Sequence, residues 1–136
     1  MGTDIDIVSL VRQVLQEIGC ADKMDDAVSP HLPLCINLRD GSEIRIDTSS
    51  NGVLFIAPMP SVTEEILAHA STLLARFLLR PPNPLFSPCR PVIVWYEDGL
   101  SLQAQLIADA QRMPEFRDAL EYFFDETCAL LHIVRD

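Results

Sequence analysis

The sequence has no long apolar run and few basic residues, and both absences exclude classes of function. No apolar segment approaches the roughly 18 residues that a membrane-spanning helix needs, so we expect no membrane insertion. Lys and Arg number 10 against 20 Asp and Glu, which gives a net charge of −10. Binding to a phosphate backbone needs a positive surface, so we expect no nucleic-acid partner. The start MGTDIDIV carries acid where a secretory leader would carry Lys or Arg, so we expect no leader.

The motifs that carry common enzyme chemistry are also missing. The sequence has no G-x-S-x-G, no P-loop, no G-x-G-x-x-G and no H-E-x-x-H. Cys128 and His132 are spaced to share a metal, but no second pair stands at ligand spacing, which favours a core cysteine and a rim histidine. The four cysteines are far apart and are interpreted as reduced core residues. We therefore expect no enzyme activity, no metal and no cofactor.

Patterned sequence fills most of the chain, and the length predicts one domain, residues 1–136. Thr3–Gly19 has apolar residues at helical spacing and predicts an amphipathic helix. Pro81–Pro91 holds five of the ten prolines and predicts an irregular connection. A last helix is predicted from Pro114, which suits a first helical turn. Its inner stripe is predicted to be Phe116, Leu120, Phe123, Thr127, Leu131 and Val134.

Alternating apolar residues and turn signals predict an antiparallel sheet. The predicted strands are Leu32–Leu38, Glu43–Thr48, Val53–Ala57, Val92–Glu97 and Leu100–Leu106. Pro33 cannot donate to a ladder, which favours an edge position for the first strand. Val92–Glu97 is apolar on both faces, which predicts a strand that is covered on both sides. The order α-β-β-β-α-β-β-α predicts an α+β domain in which helices cover one face of the sheet.

The chain is organised around Ser61–Arg80, which predicts a helix of about five turns. Ser61 and Glu64 form a capping box at its start, and Pro81-Pro82 ends it. Its main apolar face is predicted from Ile66, Ala70, Leu73 and Phe77, flanked by Leu67, Leu74 and Leu78. A second, weakly polar stripe on the opposite side consists of Ala68, Thr72, Ala75 and Leu79. Because a helix with two non-polar sides is normally buried on both, we infer a homodimer; the alternative is a central helix within one monomer.

Size, acidity, element order and the opening helix IVSLVRQVLQEIG make the chain resemble the class I chaperones of bacterial type III secretion, the family of the Tir chaperone. The resemblance covers essentially the whole chain. It implies a cytoplasmic bacterial homodimer without enzymatic activity, associated with virulence. Such a protein keeps the N-terminal region of a secreted effector extended and delivers it to the secretion apparatus, with the secretion ATPase as a further partner. The family's dimer uses the second helix and the neighbouring strand, which correspond here to Ala68, Thr72, Ala75, Leu79, Val94 and Trp95.

An extended effector segment can add a strand to a sheet edge and insert alternate side chains into apolar grooves. The candidate groove residues are Val8, Leu15, Leu32, Leu34, Ile36, Leu38, Ile44 and Ile46. Each could instead be a core residue, and a groove would require a contiguous exposed apolar patch. Two alternative functions stay open. One is a dimeric α+β module that binds another regulator, and the other is a small enzyme or ligand-binding domain, which would need a polar pocket.

Overall fold

The computed structural model describes residues 7–17, 34–37, 43–48, 52–60, 62–96 and 99–135. These residues form four α-helices and a five-stranded antiparallel sheet, which confirms the α+β class. The helices are α1 (Ile7–Glu17), α2 (Glu64–His69), α3 (Ser71–Leu78) and α4 (Glu115–Arg135). The strands are β1 (Leu34–Asn37), β2 (Glu43–Asp47), β3 (Val53–Met59), β4 (Val92–Tyr96) and β5 (Gly99–Leu106).

The strand order β1-β2-β3-β5-β4 leaves β1 and β4 at the two edges of the described sheet. The edge position of β1 agrees with the expectation from Pro33. The expectation that β4 is covered on both sides is wrong, because Val92 and Trp95 are 40% and 44% exposed. Strand β4 is exposed because it is the last strand of the described sheet. Strand β5 pairs with β3 along one side and with β4 along the other, so β4 lies at the edge.

One face of the sheet carries the core. Alternate residues of β2, β3 and β5 are buried on this face, as the period of two predicted. Helix α4 packs on β3 and β5, and α1 and α3 pack against α4. Phe55 lies at the centre, with its ring centroid 6.1 Å from Phe86, 6.0 Å from Phe116 and 5.4 Å from Phe123. The predicted inner stripe of α4 is confirmed, since all six of its residues are buried.

The central helix differs from its prediction as one five-turn helix, because it is divided into α2 and α3 at Ala70. Ala70 departs from helical geometry (φ −97°, ψ 10°), yet its N–H donates to Ile66 O and its carbonyl accepts from Leu74 N. The backbone hydrogen bonds therefore continue across the break. The cap is Thr63 and not Ser61: its extended backbone places Oγ1 3.2 Å from the Ile66 N–H. Ser61 itself lies outside the described residues.

The main apolar face of α2 and α3 is also narrower than predicted. Ala70 and Phe77 are buried, and Ile66, Leu67 and Leu74 are half-buried against the core. Leu73, which was expected on that face, is 49% exposed, and Leu78 is also exposed. On a helical projection Leu73 and Leu78 lie at the two borders of the buried face, just beyond the side chains that contact the core.

The cysteines and the proline-rich connection give one correction and one agreement. Cys89 and Cys128 are exposed rather than in the core, and Cys35 is half-buried. Cys20 lies outside the described residues. The segment 81–91 is irregular, as its prolines predicted, and its Phe86 is buried and bridges to Leu106 of β5. This bridge fastens the connection to the sheet.

Candidate interaction surface

An apolar stripe runs along the outward side of α2 and α3. All four residues of the predicted second stripe, Ala68, Thr72, Ala75 and Leu79, are exposed. Leu79 is 79% exposed, which is a large apolar area to leave in water. Leu73 and Leu78, at the two borders of the buried face of these helices, are exposed as well. We call these six residues the outer stripe.

Strand β4 presents a second apolar element to solvent. Among the described strands it pairs only with β5, and its sequence VIVWY contains no charged residue and no proline. An edge strand of this kind is a template for pairing with another chain, which natural proteins usually block with charges, proline or a bulge. Such blocking residues occur just before β4, at Arg90 and Pro91, and not within it.

Val94 and Trp95, which were predicted to share one interface, point to opposite faces of the sheet. Trp95 pairs with Leu100, a buried residue of the helix-covered face. Val94 pairs with Ser101, which pairs in turn with Pro58 on the other face. A partner strand that pairs with β4 would therefore contact Trp95 on the helix side and Val94 on the far side.

The end of α3 and the segment before β4 are linked by a hydrogen bond. Arg90 lies two residues before β4, and its Nη1 donates to the Leu78 carbonyl at 3.0 Å. This hydrogen bond ties the approach to β4 to the C-terminal end of α3. We use the name edge surface for the outer stripe together with the edge of β4 that faces away from β5.

A buried carboxylate lies beneath the edge surface. Glu126 of α4 is only 3% exposed, and its Oε2 lies 2.6 Å from Nη1 of Arg80. The Tyr122 hydroxyl donates to Glu126 Oε1 at 3.2 Å. The Arg80 guanidinium also lies over the Phe77 ring, 5.6 Å from its centroid. Burial and the neighbouring charge of Glu126 raise the pKa of Tyr122 above its ordinary value.

The predicted effector groove does not form an open surface in the described residues. Ile36, Ile44 and Ile46 are buried in the core, so these three are core residues of the protomer. They alternate toward the helix-covered face, where Val11 and Val14 of α1 are also buried. Leu34 belongs to β1 and pairs with Ile46. Leu32, Leu38 and the side chains of Val8, Leu15 and Leu34 lie outside what the structure describes.

The face of the sheet opposite the helix-covered core is charged at β2 and apolar at β4. One cross-strand row runs from Cys35 and Arg45 through Ile56 and Gln103 to Val92. Arg45 forms an ion pair with Glu43, and this hydrogen bond raises the pKa of Arg45. Charge is therefore concentrated on β2, whereas the β4 end of the same face is apolar.

Sequence reasoning missed several of these residues. The sequence pattern places Leu73 on the main apolar face of the central helix, Leu78 at the flank of that face, and Val92 in a covered strand. Glu126 was not noticed, although it lies three residues after Phe123 and four before Leu130, which places it on the buried side of α4. A charged residue at core spacing was the available signal for a buried ion pair.

Searches for a metal site, a membrane-spanning helix and known relatives gave no positive result. The described residues include no group of three His, Cys, Asp or Glu residues that could hold a metal ion. No helix among them has the length and apolar character to cross a bilayer. Comparison with models of known protein families and with curated proteins finds no match. The features that the structure does offer are an apolar edge strand and an exposed helical stripe, which are elements of protein-protein contact.

Proposed function

We propose that this protein is a homodimeric chaperone of bacterial type III secretion. In this proposal it acts in the cytoplasm, holds the N-terminal segment of a secreted effector in an extended state, and passes it to the secretion apparatus and its ATPase. The observation that carries the proposal is the edge surface, which is apolar on a strongly acidic chain. The α+β order of helices and strands agrees with the resemblance described above.

The proposed occupant of the edge surface is a second copy of the chain. The whole chain carries a net charge of −10, so two copies repel each other at most orientations. The edge surface is the exception, because β4 has no charge and the stripe is bordered by residues of both signs, Glu65 and Arg76. Burial of Leu79 and Trp95 in this contact would add about 25 cal/mol for each Å² of apolar area removed from water.

The proposed effector site lies at the opposite edge, along β1. Within the described sheet, strand β1 pairs with β2 along one side, so an extended segment could pair with its other side. Because Ile36, Ile44 and Ile46 are in the core, the contact would rest on the backbone of β1 and on groove residues beyond the described part of the chain. Val8, Leu15, Leu32, Leu34 and Leu38 remain the proposed groove residues.

The dimer is tested by light scattering and sedimentation of Leu79→Glu beside Phe124→Glu. Both changes place a charge at an exposed apolar side chain, but Phe124 lies on the outward side of α4, near Glu121 and Asp125. We expect Leu79→Glu to be monomeric and Phe124→Glu to remain dimeric at micromolar concentration. A wild-type chain that is monomeric under these conditions would overturn the dimer.

The chaperone role is tested by coexpression with N-terminal segments of about 100 residues from secreted effectors of the same bacterium. We expect one segment to copurify, to stay open to proteolysis beyond the contact, and to protect the amides of β1 from hydrogen exchange. Binding of a folded regulator with no bound effector segment would overturn the chaperone role in favour of a regulatory module.

A further inference from the structure

Glu126 is an unusual residue for its place in the fold. It lies in the buried stripe of α4 between Phe123 and Leu130, both of which are fully buried. A carboxylate in such a position is costly unless it is paired and hydrogen-bonded. Its partners therefore indicate what the residue is for.

Those partners come from the segment that leads from α3 to β4 and from α4 itself. Arg80 follows the end of α3 and reaches Glu126 across the helix interface. Tyr122, which hydrogen-bonds the other carboxylate oxygen, packs its ring on Phe86 of the proline-rich connection at 5.6 Å. Glu126 thus lies where the end of α3, the connection and α4 come together: Arg80 contacts one carboxylate oxygen, and Tyr122 contacts the other while its ring packs on Phe86.

Arg90, near the C-terminal end of the proline-rich connection, also contacts the end of α3. Arg90 donates to the Leu78 carbonyl, which is among the carbonyls that an α-helix leaves without a partner at its C-terminus. The two arginines thus hold the last turn of α3, one against α4 and the other against the approach to β4. Leu79 lies between Leu78 and Arg80, and its side chain is the most exposed apolar group of the outer stripe.

We infer that Glu126 is a positioning residue for the edge surface: by binding Arg80 it sets the direction of the α3 end and holds Leu78 and Leu79 beside the start of β4. This inference rests on the proposed homodimer. The carboxylate of this ion pair is buried and the Arg80 side chain is 46% exposed. A buried charge requires a partner in a particular position, so Glu126 restricts where the Arg80 guanidinium can lie. A second copy of the chain could pack on this surface only if Leu78 and Leu79 were held in a fixed orientation.

The test compares the dimer dissociation constants of Glu126→Gln and Val53→Ala. The glutamine keeps the shape of the side chain and an oxygen for Tyr122 but removes the charge that binds Arg80. Val53 is a buried residue of β3, outside the edge surface, so Val53→Ala lowers stability without changing the helix end. Sedimentation equilibrium gives the dissociation constant, and urea unfolding gives the stability of each variant.

We expect Glu126→Gln to raise the dimer dissociation constant about tenfold, while Val53→Ala changes it less than about twofold at equal or greater loss of stability. Should Glu126→Gln fail to fold, Tyr122→Phe removes only one hydrogen bond and is expected to raise the constant about threefold. A dimeric wild type with equal constants for the tested variant and Val53→Ala would overturn this inference alone. A monomeric wild type would overturn the proposed dimer as well.

Discussion

Strands β3 and β4 are similar in sequence but differ in burial. Their sequences, VLFIAPM and VIVWY, are both continuous apolar runs. Strand β3 lies between β2 and β5 beneath α4, and its Phe55 is fully buried among three aromatic rings. Strand β4 ends the sheet, and its Trp95 is 44% exposed. The difference comes from the neighbours of each strand, because apolar content is the same in both.

The comparison separates two ways in which this chain is held together. The interior around β3 depends on many apolar contacts, each weak and together large. The region formed by α2, α3 and β4 has fewer buried apolar residues and adds three polar contacts to them, namely the Thr63 cap, the Arg80–Glu126 ion pair and the Arg90 hydrogen bond. A region held in this way can present apolar side chains outward without being part of the core, which is what a binding surface requires.

The largest expected effect comes from truncating the matched aromatic residues of the two strands. We expect Phe55→Ala to lower the free energy of unfolding by about 3–5 kcal/mol, because it leaves a cavity among packed rings. Trp95→Ala should cost about 1–2 kcal/mol in dilute protein, because much of its side chain is already in water. Urea unfolding followed by circular dichroism measures both. Equal costs would show that β4 is buried as deeply as β3.

Gly99, the first residue of β5, offers the next test. Gly99 has a φ of +137°, and an added Cβ would lie 2.6 Å from the Met59 carbonyl oxygen. We expect Gly99→Ala to destabilise the protein by about 1–3 kcal/mol, because the strained backbone and the close carbonyl cannot both be relieved. Gly52→Ala is the control, since its Cβ would meet only the end of the Gln105 side chain at 3.2 Å. That variant should lie within about 0.5 kcal/mol of the wild type.

A smaller effect is expected at the start of α2. Thr63 accepts the Ile66 N–H, so Thr63→Ala should reduce stability by about 1 kcal/mol. Thr63→Ser keeps the hydroxyl and should retain most of that stability. Thermal unfolding distinguishes the two variants. Equal melting temperatures for the alanine and serine variants would contradict the assignment of the cap.

The smallest effect concerns the ionisation of Tyr122. Its raised pKa means that the folded protein favours the neutral phenol, because burial and the Glu126 charge disfavour the phenolate. The resulting stability is present below the unfolded pKa of about 10 and is lost as the pH rises through the higher folded pKa. Ultraviolet titration of wild type minus Tyr122→Phe should show this tyrosine ionising above pH 10. In Glu126→Gln the midpoint should move back toward the ordinary value; an unchanged midpoint would argue against the Glu126 contact.

Much of the architecture could be predicted from local pattern. The alternation in Leu100–Leu106 and the stripe from Phe116 to Val134 both correspond to buried faces. These predictions succeed because side-chain direction follows directly from helical or strand periodicity. The division of the central helix at Ala70 and the shift of its cap to Thr63 were not predictable, because several nearby residues could cap or break the helix almost equally well.

The candidate site was predicted less well than the fold. Helical spacing predicted four of the six outer-stripe residues, Ala68, Thr72, Ala75 and Leu79, and all four are exposed in the protomer. The proposed groove residues Ile36, Ile44 and Ile46 belong to the core instead. A period of two tells which residues share a face of a strand, but it does not tell whether a helix covers that face.

The sequence by itself determined which residues share a face of a strand or of the last helix and that the domain is α+β, because these features depend on neighbours along the chain. Only the tertiary structure decided that β4 ends the sheet, that Leu73 lies outside the core and that Glu126 is buried against Arg80. Those outcomes depend on strand order and helix packing, which join residues far apart in sequence. The edge surface arises from that level of structure, since the same apolar strand placed between two others would have been part of the core.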